Sequence, residues 1–210
     1  MTRGLIALLL TTVAGAVAVS AAAAPTVALK VAPGAIVYGQ EVVLSGKIPV
    51  ARGGQKVVVR AHTCHFTRAV VVKTLQTRKN GSFAFRIGPT LRTAYSVAWG
   101  KRLSRQVTVG VAPDVSLGKA GAGSYLISVA AGGGSTFEGK QAQLQRAVGR
   151  TWRTIATVSL KLTSSPTALT AVSTGTAKAQ VPPRSALRAV FPLGQAKPCY
   201  RAGISSTLRT

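Results

Sequence analysis

The stretch Ala61-His-Thr-Cys-His-Phe66 holds both histidines of the chain and one of its two cysteines. Three chemistries suit these residue types. His62, Cys64 and His65, joined by the second cysteine, Cys199, form a Cys2His2 set of the tetrahedral kind that holds zinc. A Cys64 thiolate beside the imidazole of His62 or His65 is the usual form of an activated nucleophile. A Cys64–Cys199 disulfide would instead leave the histidines as exposed loop residues. His62 and Cys64 share a parity along an extended chain, so both could face one ion, whereas His65 reaches it only if the strand bends. The spacing matches no familiar zinc pattern, and no carboxylate stands nearby to steady a ligand histidine.

Catalysis needs more than this corner. The chain has three acidic residues, Glu41, Asp114 and Glu138. Two of them begin expected strands in different halves of the chain and the third lies between the halves, so no carboxylate pair or oriented histidine can be drawn. Gly132-Gly-Gly-Ser is a turn-rich loop with no helix after it, unlike a phosphate cradle. The expectation is a non-enzymatic protein with no catalytic residues and no cofactor.

The elements that must position the corner read as strands. From Thr26 to Val111 the chain alternates at period two, with expected strands A to G at 26–31, 41–46, 55–62, 69–76, 82–87, 94–99 and 104–111. Pro33-Gly34, Gly53-Gly54, Asn80-Gly81, Gly88-Pro89 and Gly100 separate them as turns. By alternation Phe83, Phe85, Ile87, Tyr95, Val97 and Trp99 face inward, and Ala84, Arg86 and Ser96 outward. Short strands at this spacing make a β-sandwich. Hydrophobic residues are 47% of the chain and aromatics 5%, so the core is built of Val, Ala, Leu and Ile.

The second half repeats the plan. Gly54-Gln-Lys-Val-Val-Val-Arg60 aligns with Gly139-Lys-Gln-Ala-Gln-Leu-Gln-Arg146, and Tyr95, Val97 and Trp99 align with Leu187, Ala189 and Phe191. Ser104-Arg-Gln-Val-Thr-Val aligns with Ser205-Ser-Thr-Leu-Arg-Thr. Such duplication marks tandem domains. The boundaries are a signal peptide at 1–23, domain 1 at 24–111 and domain 2 at 112–210, with Val111-Ala-Pro-Asp114 as a linker so short that the domains abut.

The signal peptide follows from Arg3, an apolar stretch at Leu5 to Val19 and small residues at Ser20 to Ala24. The stretch is short for a bilayer span, so the mature chain is expected to carry no transmembrane segment and to be secreted, extracellular or associated with the cell envelope.

"YGQEVVLSG", "GGQKVVVR", "NGSFAFRIGPTLRTAYSVAWG" and "LQRAVGRTWRTIATVSL" resemble the Ig-like or fibronectin-type repeats of secreted actinobacterial proteins. The resemblance implies an all-β fold of two tandem Ig-like, Greek-key β-sandwich domains. It also makes Tyr95 a corner tyrosine whose hydroxyl ties a loop back to the backbone. The second domain departs from the pattern, with Leu187 in place of that tyrosine.

In a Greek-key sandwich Cys64, in the loop after strand C, lies at the pole of domain 1 that faces domain 2. Cys199, between expected strands at 186–191 and 203–209, lies at the pole of domain 2 that faces domain 1. The two cysteines should therefore meet at the junction. Exported proteins usually pair their cysteines, so the disulfide is the preferred reading. The metal set His62, Cys64, His65 and Cys199 remains the alternative.

Charge bears on partners. Lys and Arg total 27 against the three acids, for a net charge of +24. Lys56, Arg60, Arg78, Lys79, Lys101, Arg102, Arg105, Arg150 and Arg153 are candidates for contacting a polyanion, and an anionic cell-wall polymer or glycan is the expected partner. Specific nucleic-acid binding wants stacking aromatics in a basic groove. Tyr95 and Trp99 are assigned to the core, which leaves Trp152 as the aromatic free to be exposed.

Overall fold

The computed structural model describes residues 26–167 and 169–210. The signal peptide read at 1–23, and the first two residues of domain 1, lie outside the described residues.

Among the described residues the chain is all-β apart from one helical turn, and the strands form four sheets. The first half contributes β1 (Ala28–Ala32), β2 (Ala35–Val37), β3 (Val42–Lys47), β4 (Lys56–Thr63), β5 (Val70–Gln76), β6 (Ser82–Ile87), β7 (Thr93–Trp99), β8 (Arg102–Leu103) and β9 (Val107–Ala112). One sheet runs β1-β3-β6 and the other β2-β9-β7-β4-β5, with β8 beside β7. The second half contributes β10 (Asp114–Gly121), β11 (Ser124–Ala131), β12 (Gln141–Val148), β13 (Thr151–Ser159), β14 (Lys161–Thr167), β15 (Thr170–Lys178) and β16 (Ala186–Phe191). The turn α1 (Leu193–Ala196) and the short β17 (Gly203–Ile204) and β18 (Leu208–Arg209) follow. Their sheets run β10-β11-β15-β14 and β13-β12-β16-β17, with β18 beside β16. Every strand pairing among the described residues stays within 28–112 or within 114–209, and Pro113 alone separates β9 from β10.

Alternation builds the core. Val57, Val59 and Ala61 of β4 point inward while Lys56, Arg60 and His62 are exposed. Val97 and Tyr95 of β7, and Leu187, Ala189 and Phe191 of β16, are buried in the same way. Each fully buried Val or Leu stabilises the fold by about 1.5–3 kcal/mol, so a core poor in aromatics holds through the number of such residues. Phe83 is buried, whereas Phe85, Ile87 and Trp99 are partly buried and pack against the core margin.

Several expected details change. Pro33, which has no N–H to give a ladder, ends β1, and the chain crosses to the other sheet, where β2 pairs parallel with β9. The strand lettered D, β5, pairs with β4. Expected strand G, 104–111, begins only at Val107, because Ser104 turns inward between β8 and β9. Its amide donates to Val97 O and its hydroxyl accepts from Val97 N, each 2.9 Å. The stretch 203–209 is divided around Ser205. Ser96 was expected outside, but its strand is central in the sheet and it is buried, with Arg60 facing it in register on β4.

Candidate functional site

The Ala61–Phe66 stretch lies where the two halves meet. His62 ends the exposed face of β4, and Thr63 to Phe66 close a turn in which Phe66 N donates to Thr63 O (3.0 Å). His65 takes a φ of 73°, a left-handed conformation that this turn requires. Cys64 N donates to Arg92 O (2.9 Å), which pins the turn to the loop before β7. Nε2 of His62 donates to Phe66 O (2.8 Å), which fixes the protonated nitrogen and occupies it.

Cys64 and Cys199 are bonded to one another, with Cα atoms 5.5 Å apart at a sequence separation of 135. Cys199 is buried in the loop after α1. The side-chain donors of Cys64, His65 and Cys199 lie within 4.8 Å of one another, with His62 outside that group. In the disulfide neither sulfur has a thiolate to offer a metal or a substrate carbonyl.

The disulfide is one of several ties across the junction. Arg92 N donates to Cys199 O (3.0 Å) and Arg201 N to Val111 O (2.8 Å). The hydroxyls of Tyr38 and Thr170 share a 2.8 Å bond. Glycines allow the approach: a Cβ on Gly110 would meet the Arg201 stem at 2.6 Å. A Cβ on Gly132 would run into the side chains of Tyr38 and Thr90.

Tyrosine hydroxyls are used differently in the two halves. Tyr95 is buried, which pushes its phenol up to about 12, partly offset by a hydrogen bond with the Thr93 side chain. Among the described residues the Tyr95 hydroxyl makes no backbone tie of the kind implied by the resemblance. The backbone tie falls instead to Tyr200, whose hydroxyl donates to Gly132 O (2.8 Å) and accepts from Gly132 N (3.0 Å). Burial raises the Tyr200 phenol above its ordinary value, while the bond to the Gly132 backbone and a hydrogen bond with Ser135 lower it.

Cavities surround the staple. One of about 410 Å³ is lined by His62, Cys64, His65, Phe66 and Arg92 among others. Another, of about 340 Å³, is lined by Arg92, Leu193, Lys197, Pro198, Tyr200 and Arg201. The second joins three exposed cations to an apolar floor, and none of Glu41, Asp114 and Glu138 lines either cavity. An uncompensated set of cations with fixed backbones suits an anionic group.

The nine basic candidates are all exposed, and they do not converge here. The register places Lys56 beside Gln76 and Arg102 beside Trp99, so Lys56, Arg78, Lys79, Lys101 and Arg102 gather at the end of the first half away from Cys64. Arg60 lies on the outer face of β4, Arg105 between β8 and β9, and Arg150 and Arg153 in the β12–β13 hairpin. Reading the sequence missed Arg92, Lys197 and Arg201 as a group, and Phe66, which is 63% exposed. The run Lys197-Pro-Cys-Tyr-Arg201 around the cysteine was the available signal for two of the three cations.

The sequence matches no family model and no curated protein.

Proposed function

We propose that the protein is an exported, non-enzymatic tandem of two Ig-like β-sandwiches, a binding or spacing module at the cell surface. Its basic side chains make salt-sensitive contacts to anionic wall polymers or glycans. The strand orders support the architecture: β1-β3-β6 opposite β2-β9-β7-β4-β5 corresponds to A, B, E against A′, G, F, C, C′. In the second half β10-β11-β15-β14 and β13-β12-β16-β17 correspond to A, B, E, D and C′, C, F, G. The equivalent surroundings of Ser104 and Ser205 support a repeated module.

The observation that carries the functional reading is the stapled junction. The Cys64–Cys199 bond and the amides of Arg92 and Arg201 hold the two halves so that Arg92, Lys197 and Arg201 meet at one cavity. A rigid pair of modules presents its charges at fixed spacing, which limits the ordering cost of binding a polymer.

The test is retention of the mature protein on an immobilised phosphate-repeat polymer and on a carboxylate polysaccharide, with dextran as the neutral control. Displacing bound counterions makes affinity fall steeply between about 50 and 200 mM salt. Replacing Arg92, Lys197 and Arg201 by glutamine should weaken retention more than the equal charge loss at Lys30, Lys119 and Lys178. Equal binding to dextran, or retention independent of salt, would overturn the proposal.

A further inference from the structure

Away from the junction, the outer face of the β13-β12-β16 sheet carries a second ordered group of side chains. Ala142 and Leu144 of β12, and Leu187 and Ala189 of β16, face the core, so Gln143, Gln145 and Arg188 face outward. Gln145 stands opposite Arg188 on one side and Thr154 on the other, and Trp152 stands opposite Ala147. Trp152 is half-buried and, unlike Trp99, takes no part in the core.

These side chains are already bonded to one another. The Arg188 guanidinium lies over the Trp152 ring, 4.2 Å from its centroid, and its Nε donates to Gln145 Oε1 (2.9 Å). Gln145 Nε2 donates to Gln143 Oε1 (3.2 Å) and to Thr154 Oγ1 (3.4 Å), and Thr154 Oγ1 donates to Gln143 Oε1 (3.3 Å). The amide acceptors are consumed within the network. Among the described residues, the Nη hydrogens of Arg188 and the Nε2 hydrogens of Gln143 make no bond to protein, and no carboxylate pairs with Arg188.

The result is a flat ledge across three strands spaced about 4.8 Å apart. It has a fixed guanidinium fork at one end, amide donors beyond it and an indole alongside. A stacked, hydrogen-bonded arginine presents its remaining N–H pair in one plane, the geometry that takes a carboxylate through two bonds. Outward amide donors suit the hydroxyls of a sugar, and the half-buried indole gives its apolar C–H groups a surface to pack against. From this arrangement we infer that the ledge binds an acidic sugar unit. Arg188 holds its carboxylate, Gln143 and Thr154 meet its hydroxyls, and Trp152 sets the plane. This inference rests on the reading of the protein as a binder of anionic polymers and gives that reading a ligand class and a place.

The experiment titrates oligogalacturonate into the full protein carrying Trp99→Phe, so that Trp152 is the one indole. Inorganic polyphosphate and dextran run in parallel. Saturable change in Trp152 emission with oligogalacturonate is expected. Arg188→Lys keeps the charge and removes the fork, and should weaken binding by about tenfold. Lys178→Gln, a charge loss on another sheet, should change it by no more than about twofold. Melting curves of each variant check that the fold is intact.

If Arg188→Lys changes binding no more than Lys178→Gln while binding stays salt-sensitive, the ledge is overturned and the broader reading stands. If neither oligogalacturonate nor polyphosphate binds at low salt, the broader reading fails and this one with it. Polyphosphate with equal dependence on Arg188 overturns the sugar assignment. Dextran with an equal emission change overturns the carboxylate assignment.

Discussion

Ser104 and Ser205 make the same three hydrogen bonds in the two halves of the chain. Each amide donates to a carbonyl on the neighbouring strand, Val97 and Ala189 respectively, at 2.9 Å. Each hydroxyl accepts from the amide of that same residue (2.9 Å) and donates to the next carbonyl along its own chain, Arg105 O at 2.9 Å and Ser206 O at 2.7 Å. Both serines are buried. One side chain thus replaces the ladder bond lost where the last strand breaks.

Ser104→Ala and Ser205→Ala should each destabilise the protein, because each strands a buried backbone N–H. The cost of such an orphan is about 1–3 kcal/mol. Denaturant unfolding of the two single variants measures it, and Thr substitutions, which keep the hydroxyl, should recover part of the loss. Losses below about 0.5 kcal/mol in both alanine variants would show that water replaces the hydroxyls at no net cost.

The equivalence of Ser104 with Ser205, and of Val97 with Ala189, could be read in the sequence, because the alignment of the two halves set each pair at matching positions. The alternating valines of β4 and the glycine and proline turns were equally plain. What was hidden depended on long-range geometry. Nothing local tells that β2 leaves β1 to pair with β9, or that a central position makes Ser96 buried. Tyr200 was missed because the backbone tie was sought at Leu187, the aligned position, and the tie arises from a different loop. Of the three junction cations, Lys197 and Arg201 are neighbours in sequence, but Arg92 is about a hundred residues away and joins them only where the halves meet.

Opening the Cys64–Cys199 bond should lower stability steeply. A closed loop of this length restricts the unfolded chain by about 5 kcal/mol in the chain-entropy account. The double variant Cys64→Ser/Cys199→Ser, compared with the oxidised protein by denaturant unfolding, gives the loss. Small-angle scattering of the same variant should show a broader range of distances between the halves. A variant with unchanged stability and unchanged scattering would mean that Tyr38–Thr170 and the backbone bonds of Arg92 and Arg201 hold the junction unaided.

Stability should also fall in alkali. The folded protein holds the Tyr95 proton up to about 12, against an ordinary tyrosine value near 10, and Tyr200 is raised as well. Below about 10 both states keep these protons, and their contribution is fully present. Above that pH the unfolded chain loses protons that the native state keeps, so unfolding is favoured progressively until the folded value is passed. Melting temperatures between pH 9 and 12, with tyrosinate absorbance as the second readout, follow this on a scale of about one proton per tyrosine. Tyr95→Phe should flatten the decline, and an unaltered slope would show that Tyr95 titrates alike in both states.

Gly132 tests how closely the halves must approach. It is buried, its N–H and carbonyl are both held by the Tyr200 hydroxyl, and an added Cβ would meet Thr90 at 2.9 Å as well as the Tyr38 ring. A side chain cannot enter without displacing Tyr38 and with it the Tyr38–Thr170 bond. Gly132→Ala should therefore cost about 1–3 kcal/mol, the usual penalty for overpacking. Gly134, with nothing within 4 Å of its Cβ position but a φ of 73°, serves as the comparison. Gly134→Ala suffers backbone strain alone, of about 1–2 kcal/mol, and should leave the junction untouched. The measurement that separates them is the reactivity of the disulfide. Gly132→Ala, by prising the junction open beside Cys199, should speed reduction of Cys64–Cys199 by a water-soluble thiol, and Gly134→Ala should not. Equal reduction rates in the two variants would mean that the junction absorbs a methyl group at Gly132 without separating.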